Sequence, residues 1–208
     1  MAFALFSGIP AFNTSPVSDT HFRRYKDFSD QLTAMGFPQT SDTGQVNWAT
    51  VTQPGPGVYT VYEVRRFDDA EQATAPIFFK IFYGYEVAGG MSRIRIQFGT
   101  GSNGTGTLLN PFTTLINVCL ALSTTERTWL ISSDGSGFAL LPGTGSSIIA
   151  RLFLGIERGR NADGSVNPRY LMVYYATSTS TSSINVNDPS VVVFDLEDLV
   201  SFSSDIRS

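Results

Sequence analysis

Hydrophobic positions along the chain follow two different periods. In residues 19–35 the apolar side chains Phe22, Tyr25, Phe28, Leu32 and Met35 recur at spacings of three, three, four and three, which lines one face of a helix. Arg23, Arg24, Lys26, Asp27, Asp30 and Gln31 fall on the other side. Ser18, Asp19 or Thr20 can cap the start by accepting a bond from a free N–H of the first turn, Gly36 is placed to end the helix in a left-handed conformation, and Pro38 stops it. Residues 1–17, with Pro10, Pro16 and no periodicity, read as an extended arm that packs along its own domain or reaches a neighbouring subunit.

From about Val46 the period becomes extended. Residues 58–67 are rich in β-branched and aromatic types, which fit a pleated, half-buried surface. In residues 76–86, Ile77, Phe79, Ile81, Tyr83 and Tyr85 share one face while Lys80 and Glu86 take the other. After Ala88-Gly89-Gly90, residues 91–98 place Ile94, Ile96 and Phe98 inward and Arg93, Arg95 and Gln97 outward, so an antiparallel pair with one wet face is expected. Residues 114–122, 127–132 and 138–141 continue the strand pattern, with a tight turn at Asp134-Gly135. In residues 148–157, Leu152, Leu154 and Ile156 share a face. Residues 159–168 are turn chemistry throughout, residues 170–175 read as a central strand, and residues 191–194 as the last strand. The Ser/Thr tract between those two has no periodicity and reads as an exposed loop.

The fold class this implies is mainly β: an antiparallel β-sandwich or barrel-like domain with one N-terminal α-helix and an extended N-terminal arm. Residues 1–17 form the arm, 18–45 the helix and its connection, and 46–208 the antiparallel β domain. No single period repeats through the chain, which argues against a solenoid or propeller.

Composition narrows the chemistry. Charged residues are 15% of the 208, against roughly 25% in ordinary soluble domains. Serine, threonine and 19 glycines cover the surface instead, and charge thins out in the β region while the helix keeps a normally charged face. A net charge of −4 and the lack of any Lys/Arg cluster argue against nucleic acid as a partner. No apolar run approaches the roughly 20 residues that span a bilayer, and MAFALFSGIPAF lacks the basic start of a secretory signal. The expectation is a soluble chain made in the cytoplasm, with Asn13-Thr14-Ser15 and Asn103-Gly104-Thr105 as chance glycosylation triplets. One cysteine and one histidine leave no internal disulfide, no zinc site of several Cys or His ligands and no histidine cluster.

Several stretches imitate chemistry. Gly99-Thr100-Gly101-Ser102-Asn103-Gly104 fits GxGxxG after a strand, with Glu126 at a suitable distance for a ribose, but Thr105-Gly106-Thr107 and Asn110-Pro111 oppose the helix a pyrophosphate needs. His21 has no GxSxG serine to serve and reads as a capping or surface residue. Cys119, between Val118 and Leu120, reads as a small buried hydrophobe. Asn161, Asp163 and Asn167 lack the first Asp and the twelfth-place acid of a calcium loop. Asp68-Asp69-Glu71 and Asp195-Glu197-Asp198 supply the paired acids a glycosidase would need, and read as solvated acids. Trp48, Trp129, Tyr83, Tyr85, Tyr170, Tyr174 and Tyr175 would be sugar platforms if exposed, and core fillers if not. No catalytic, cofactor-binding or metal-binding residue is assigned, and no cofactor is expected.

The run Phe79-Lys80-Ile81-Phe82-Tyr83-Gly84, then Arg93-Ile94-Arg95-Ile96-Gln97-Phe98, then Gly99-Thr100-Gly101-Ser102-Asn103-Gly104-Thr105-Gly106, resembles a segment of virion structural proteins of tailed bacteriophages, where an FKIxYG strand precedes a strand ending in GTGSxGxG. The match covers residues 79–106. The resemblance implies a non-enzymatic component of the capsid, neck or tail, made in the host cytoplasm, located in the virion, forming homo-oligomers and meeting other virion proteins. It carries over no functional residue. Contacts between subunits are expected at residues 2–17, 99–106 and 177–188. The alternative is a β-sandwich carbohydrate- or receptor-binding module of such a particle, with a host-surface glycan as partner.

Overall fold

The alternation of residues 77–86 and 91–98 builds the centre of the smaller of the two large sheets among the described residues. In the computed structural model, which describes residues 2–7, 22–23, 25–86, 91–112, 116–121, 127–132, 135–142, 154–176 and 189–205, that sheet has the order β2 (Val61–Arg66), β3 (Phe78–Glu86), β4 (Met91–Gly99), β7 (Ile116–Ala121). The larger sheet has seven strands, in the order β1 (Ala2–Ser7), β8 (Arg127–Ser132), β9 (Gly137–Pro142), β10 (Leu154–Arg160), β11 (Val166–Ala176), β12 (Pro189–Asp195), β13 (Val200–Asp205). A two-stranded ribbon, β5 (Gly101–Ser102) with β6 (Leu108–Leu109), continues from β4. Every pairing between these strands is antiparallel. The fold is therefore mainly β, with several antiparallel sheets and, among the described residues, one α-helix.

That helix, α1 (Tyr25–Ala34), buries the stripe read from the sequence: Phe22, Tyr25, Phe28, Leu32 and Met35 are all inside. Its end is a Schellman closure. Gly36 takes φ +91, Phe37 N–H donates to the Leu32 carbonyl at 2.9 Å, and Gly36 N–H donates to the Thr33 carbonyl at 3.2 Å. The chain then crosses into Phe37, whose ring meets Phe67 at 5.1 Å and Phe138 of the larger sheet at 4.9 Å.

One hydrophobic cluster joins the helix and both sheets. Phe79, Ile81, Tyr83, Ile94, Ile96 and Phe98 contribute from the smaller sheet, and Phe138, Leu140, Leu154, Ile156, Leu171 and Val173 from the larger. Phe79 and Phe138 touch across it at 5.7 Å, and Phe112 bridges Phe98 and Phe194 at 6.4 and 4.9 Å. Such ring pairs add specific geometry to the burial that holds the layers together.

Two stretches differ from their sequence pattern. Residues 159–168 were expected to be turn throughout, yet β10 runs to Arg160 and β11 begins at Val166, leaving a turn of residues 161–165. The strands outlast the turn-like composition because Gly159 pairs with Asn167 across a register shift, where glycine leaves room for Tyr170. β13 lies beyond the last expected strand. Its Val-Ser-Phe-Ser-Ser-Asp sequence is weakly strand-like, and its register comes from pairing with β12. No described helix is long and apolar enough to cross a membrane.

Candidate functional site

The glycine-rich segment that imitates a nucleotide loop is a clamped hairpin. Asn103 Oδ1 accepts from the Thr105 N–H at 2.9 Å, the Thr105 hydroxyl at 2.9 Å and the Thr107 N–H at 3.1 Å, closing the turn, and β6 rather than a helix follows. Asp42 fastens the hairpin to the domain. Its carboxylate accepts from the Ser102 hydroxyl, from Gly106 N–H at 2.8 Å and from the Thr40 hydroxyl at 2.6 Å. Burial raises the Asp42 pKa, but these donors together outweigh it and hold the group below its ordinary value. On the other side, Lys80 Nζ donates to the Gly106 carbonyl at 2.6 Å and lies 3.7 Å from the Tyr62 ring centroid. Gly106 has φ +82, and a Cβ there would meet the Tyr62 ring at 2.4–2.7 Å. Thr43 N–H donates to the Gly104 carbonyl at 2.9 Å, so the loop expected to reach a neighbour is bound to its own domain along this side.

A second cluster lies fully inside. Glu63 and Arg65 are two residues apart on β2 and so share its core-side face, where they pair with Ile81 and Phe79 of β3. Arg65 Nε donates to Glu63 Oε1 at 2.8 Å, and its other nitrogens reach the Ser29 carbonyl at 2.6 Å, Thr33 Oγ1 at 3.0 Å and the Phe37 carbonyl at 2.5 Å. Glu63 also accepts from Ser29 Oγ at 2.8 Å and from the Tyr83 hydroxyl. Burial and the Glu63 carboxylate push the Tyr83 phenol well above its ordinary pKa. The set of groups is satisfied, and it ties α1 to β2. Beside it, the Trp48 ring packs edge-on against Tyr83 at 5.0 Å, with its buried Nε1–H unpaired.

Arg158, on β10, fastens the connection between β2 and β3. Its Nε and Nη2 donate to Asp69 at 2.5 and 3.0 Å, and Nη1 donates to the Ala75 carbonyl at 2.8 Å. This holds the short 3-10 turn Ala70–Ala73 and the residues after it against the larger sheet. At the surface, Arg169 gathers Asp195 at 2.6 Å, Asp198 at 2.7 Å and Glu197 at 3.0 Å. The Arg169 hydrogen bonds hold Asp195 below its ordinary pKa in spite of partial desolvation.

A cleft of about 450 Å³ opens where these last two elements meet the glycine hairpin. Ala75, Pro76, Pro168, Leu196 and Leu199 make its apolar wall. Thr74, Thr100 and Asn110, with the Arg169–Glu197 pair, supply its polar groups. A smaller depression of about 250 Å³ lies elsewhere on the larger sheet, floored by Gly137 and Gly155 and bounded by Tyr174, whose hydroxyl donates to Glu157 at 3.1 Å. Burial and the neighbouring Glu157 raise the Tyr174 phenol to about 12.

Both acid clusters therefore contribute to ion pairs: Asp69 holds Arg158, Asp68 meets Arg66 at 3.2 Å, and Asp195, Glu197 and Asp198 surround Arg169. Asp163 accepts from Ser165 within the turn, and Asn167, on β11, donates to Asn161 at 3.0 Å. Cys119 lies in β7 opposite Arg93, and Trp129 in β8 opposite Leu5. His21, Glu126 and the tract 177–188 lie outside the described residues, as does the arm beyond Ser7; Ala2–Ser7 is β1, paired with β8. Among the described residues no group of three His, Cys, Asp or Glu is placed to hold a metal ion.

No protein-family model matches the chain, and no curated protein or solved structure is significantly similar to it. Sequence reasoning had found neither the Asp42 clamp nor the 450 Å³ cleft. Asp42 meets Ser102 across sixty residues, and no local pattern announces that contact. For the Glu63–Arg65 pair a signal did exist: opposite charges two apart on one face of a strand that also holds Val61, Tyr62 and Val64.

Proposed function

We propose that this protein is a non-enzymatic structural component of a tailed-phage virion, built as an antiparallel β-sandwich with an extended N-terminal arm and assembling through copies of itself and neighbouring virion proteins. The observation that carries the reading is the use made of residues 79–106, the segment with the phage resemblance. Its described part forms β3, β4 and the glycine hairpin, and Lys80, Tyr83, Ser102 and Gly106 within it are engaged in fastening those elements to the rest of the domain. Of the acids that could have served hydrolysis, Asp68, Asp69, Asp195, Glu197 and Asp198 are engaged in ion pairs. The low charge of the chain suits a surface covered by other subunits, and β1 and β13, at the two ends of the larger sheet, offer strands of the kind through which subunits pair.

The test is the state of the purified full chain across a hundredfold range of concentration, followed by light scattering and electron microscopy. Rings, trimers or longer assemblies are expected. A monomer at every concentration, with no incorporation into particles in a phage-infected cell, would overturn the reading.

A second reading, a carbohydrate- or receptor-binding module of the particle, is favoured by the depression beside Tyr174, where a half-buried ring and a carboxylate adjoin a glycine floor. Trp48, in contrast, packs its ring against Tyr83. Saturable binding on a glycan array, lost in Tyr174→Ala, would favour this second reading.

A further inference from the structure

Two residues other than glycine take positive φ among the described residues, Asn110 at 44° and Leu199 at 55°, and both line the 450 Å³ cleft. Asparagine tolerates this region, but for leucine the Cβ crowds the following carbonyl, so the conformation is rare and persists only where the surroundings impose it. The turn between β12 and β13 imposes it here, and Leu199 remains 46% exposed at the mouth of the cleft. We infer that the cleft receives an extended segment of a partner polypeptide, anchored by one aliphatic or aromatic side chain and flanked by lysine or arginine.

Four properties select that occupant. The volume suits a ligand the size of a few side chains. The wall is aliphatic, formed by two prolines, two leucines and an alanine, so it offers dispersion contact to an alkyl or aryl group and no ring face on which a sugar would stack. Asn110 donates through Nδ2 to Thr100 Oγ1 at 3.0 Å, which fixes its amide while leaving the carbonyl oxygen and the second N–H to meet the alternating donors and acceptors of an extended backbone. Around Arg169, finally, the carboxylates of Asp195, Glu197 and Asp198 leave a local surplus of two negative charges. Glu197 and Asp198 are 71% and 61% exposed. That surplus attracts a basic flank and repels phosphate and other anions. The inference goes beyond the structural role proposed above and needs no particular symmetry or particle.

The full chain, labelled with nitrogen-15, can be titrated with the capped tripeptides acetyl-Lys-Phe-Lys-amide, acetyl-Glu-Phe-Glu-amide and acetyl-Lys-Gly-Lys-amide, and separately with methyl glucoside. The first should give saturable shifts centred on the amides of Leu199 and Asn110, with a dissociation constant of about a millimolar, as expected for so small a ligand. The acidic peptide and the glycine peptide should each bind at least about tenfold more weakly, and raising the salt from about 0.05 to 0.5 M should weaken the first severalfold. Leu199→Gly removes the anchor contact while relieving the backbone, so it should weaken binding about fivefold or more in a chain that unfolds no earlier than the native one. Absence of shifts with the first peptide, equal binding of the glycine or acidic peptide, preference for the glucoside, or full binding by a folded Leu199→Gly chain would each overturn the inference.

Discussion

Arginine meets carboxylate in both sheets, but at different depths. On the smaller sheet, Glu63 and Arg65 are 0% and 1% exposed beneath α1. On the larger one, the Arg169 side chain is 40% exposed and holds one buried acid, Asp195, and two that face solvent, Glu197 and Asp198. The inner pair has surrendered its water, and its contacts are made instead by the two side chains with each other and with the Ser29, Thr33, Phe37 and Tyr83 groups. The outer group can exchange its Glu197 or Asp198 contact for water. Stability therefore rests on the first far more than on the second, although the outer cluster gathers more formal charges. A chain with few charges has placed some of them where they are hardest to replace.

Removing one partner of the inner pair is the strongest way to break this comparison. Arg65→Met strands the Glu63 carboxylate in the core and should destabilise the protein by about 3–5 kcal/mol. The double change Glu63→Gln with Arg65→Met leaves no buried charge at this place and should recover at least half of that loss. Urea unfolding of the three chains measures both. A single variant as stable as the native protein would mean that solvent reaches the pair.

Arg158→Met probes an intermediate depth. The Arg158 and Asp69 side chains are 0% and 8% exposed, so the abandoned carboxylate lies close to water and can regain some of it. A loss of about 1.5–3 kcal/mol is expected, the range for hydrogen bonds to charged groups. Because this arginine holds the connection between β2 and β3 against the larger sheet, hydrogen exchange of residues 70–77 should rise more than that of α1. An equal rise in both places would deny that role.

The sequence made the layers legible and left most of the polar fastening hidden, for a physical reason. Burial of Ile77, Phe79, Ile81 and Tyr83, and of Ile94, Ile96 and Phe98, follows from period alone, because one apolar face must leave water whatever it packs against. The five-residue helical stripe and Gly36 follow from local rules in the same way. Asp42, Arg158 and the cleft depend on which distant segments happen to meet. Thr74, Asn110 and Leu199 come from three separate turns, and nothing near any of them in sequence indicates the others. β13 was missed because alternating serine carries too little hydrophobic signal to declare a strand before its partner is known.

Glycine in the hairpin sharpens the comparison at a smaller scale. Gly104 and Gly106 both have φ +82, but a Cβ at Gly104 meets nothing within 4 Å while one at Gly106 enters the Tyr62 ring. Gly104→Ala should cost about 1 kcal/mol of backbone strain. Gly106→Ala should cost roughly twice that, since Tyr62 must leave the Lys80 ammonium to make room. Equal midpoints for the two variants would show that the clamp yields freely.

Asp195 gives the mildest test, and acid is the way to apply it. Its pKa lies below the ordinary 3.8 because Arg169 donates to both of its oxygens. The unfolded chain consequently binds this proton at a higher pH than the folded one. The stabilisation is complete above about pH 5, declines as pH falls through 3.8, and is gone below the depressed folded value. Asp195→Asn should therefore change stability less at pH 3 than at pH 7, and it should flatten the fall in unfolding free energy between those values. Asp42, also held below its ordinary pKa, remains in that variant, so part of the slope must survive. An unaltered slope would mean that the outer arginine contributes nothing to Asp195 beyond what water supplies, and the contrast between the two sheets would then be sharper still.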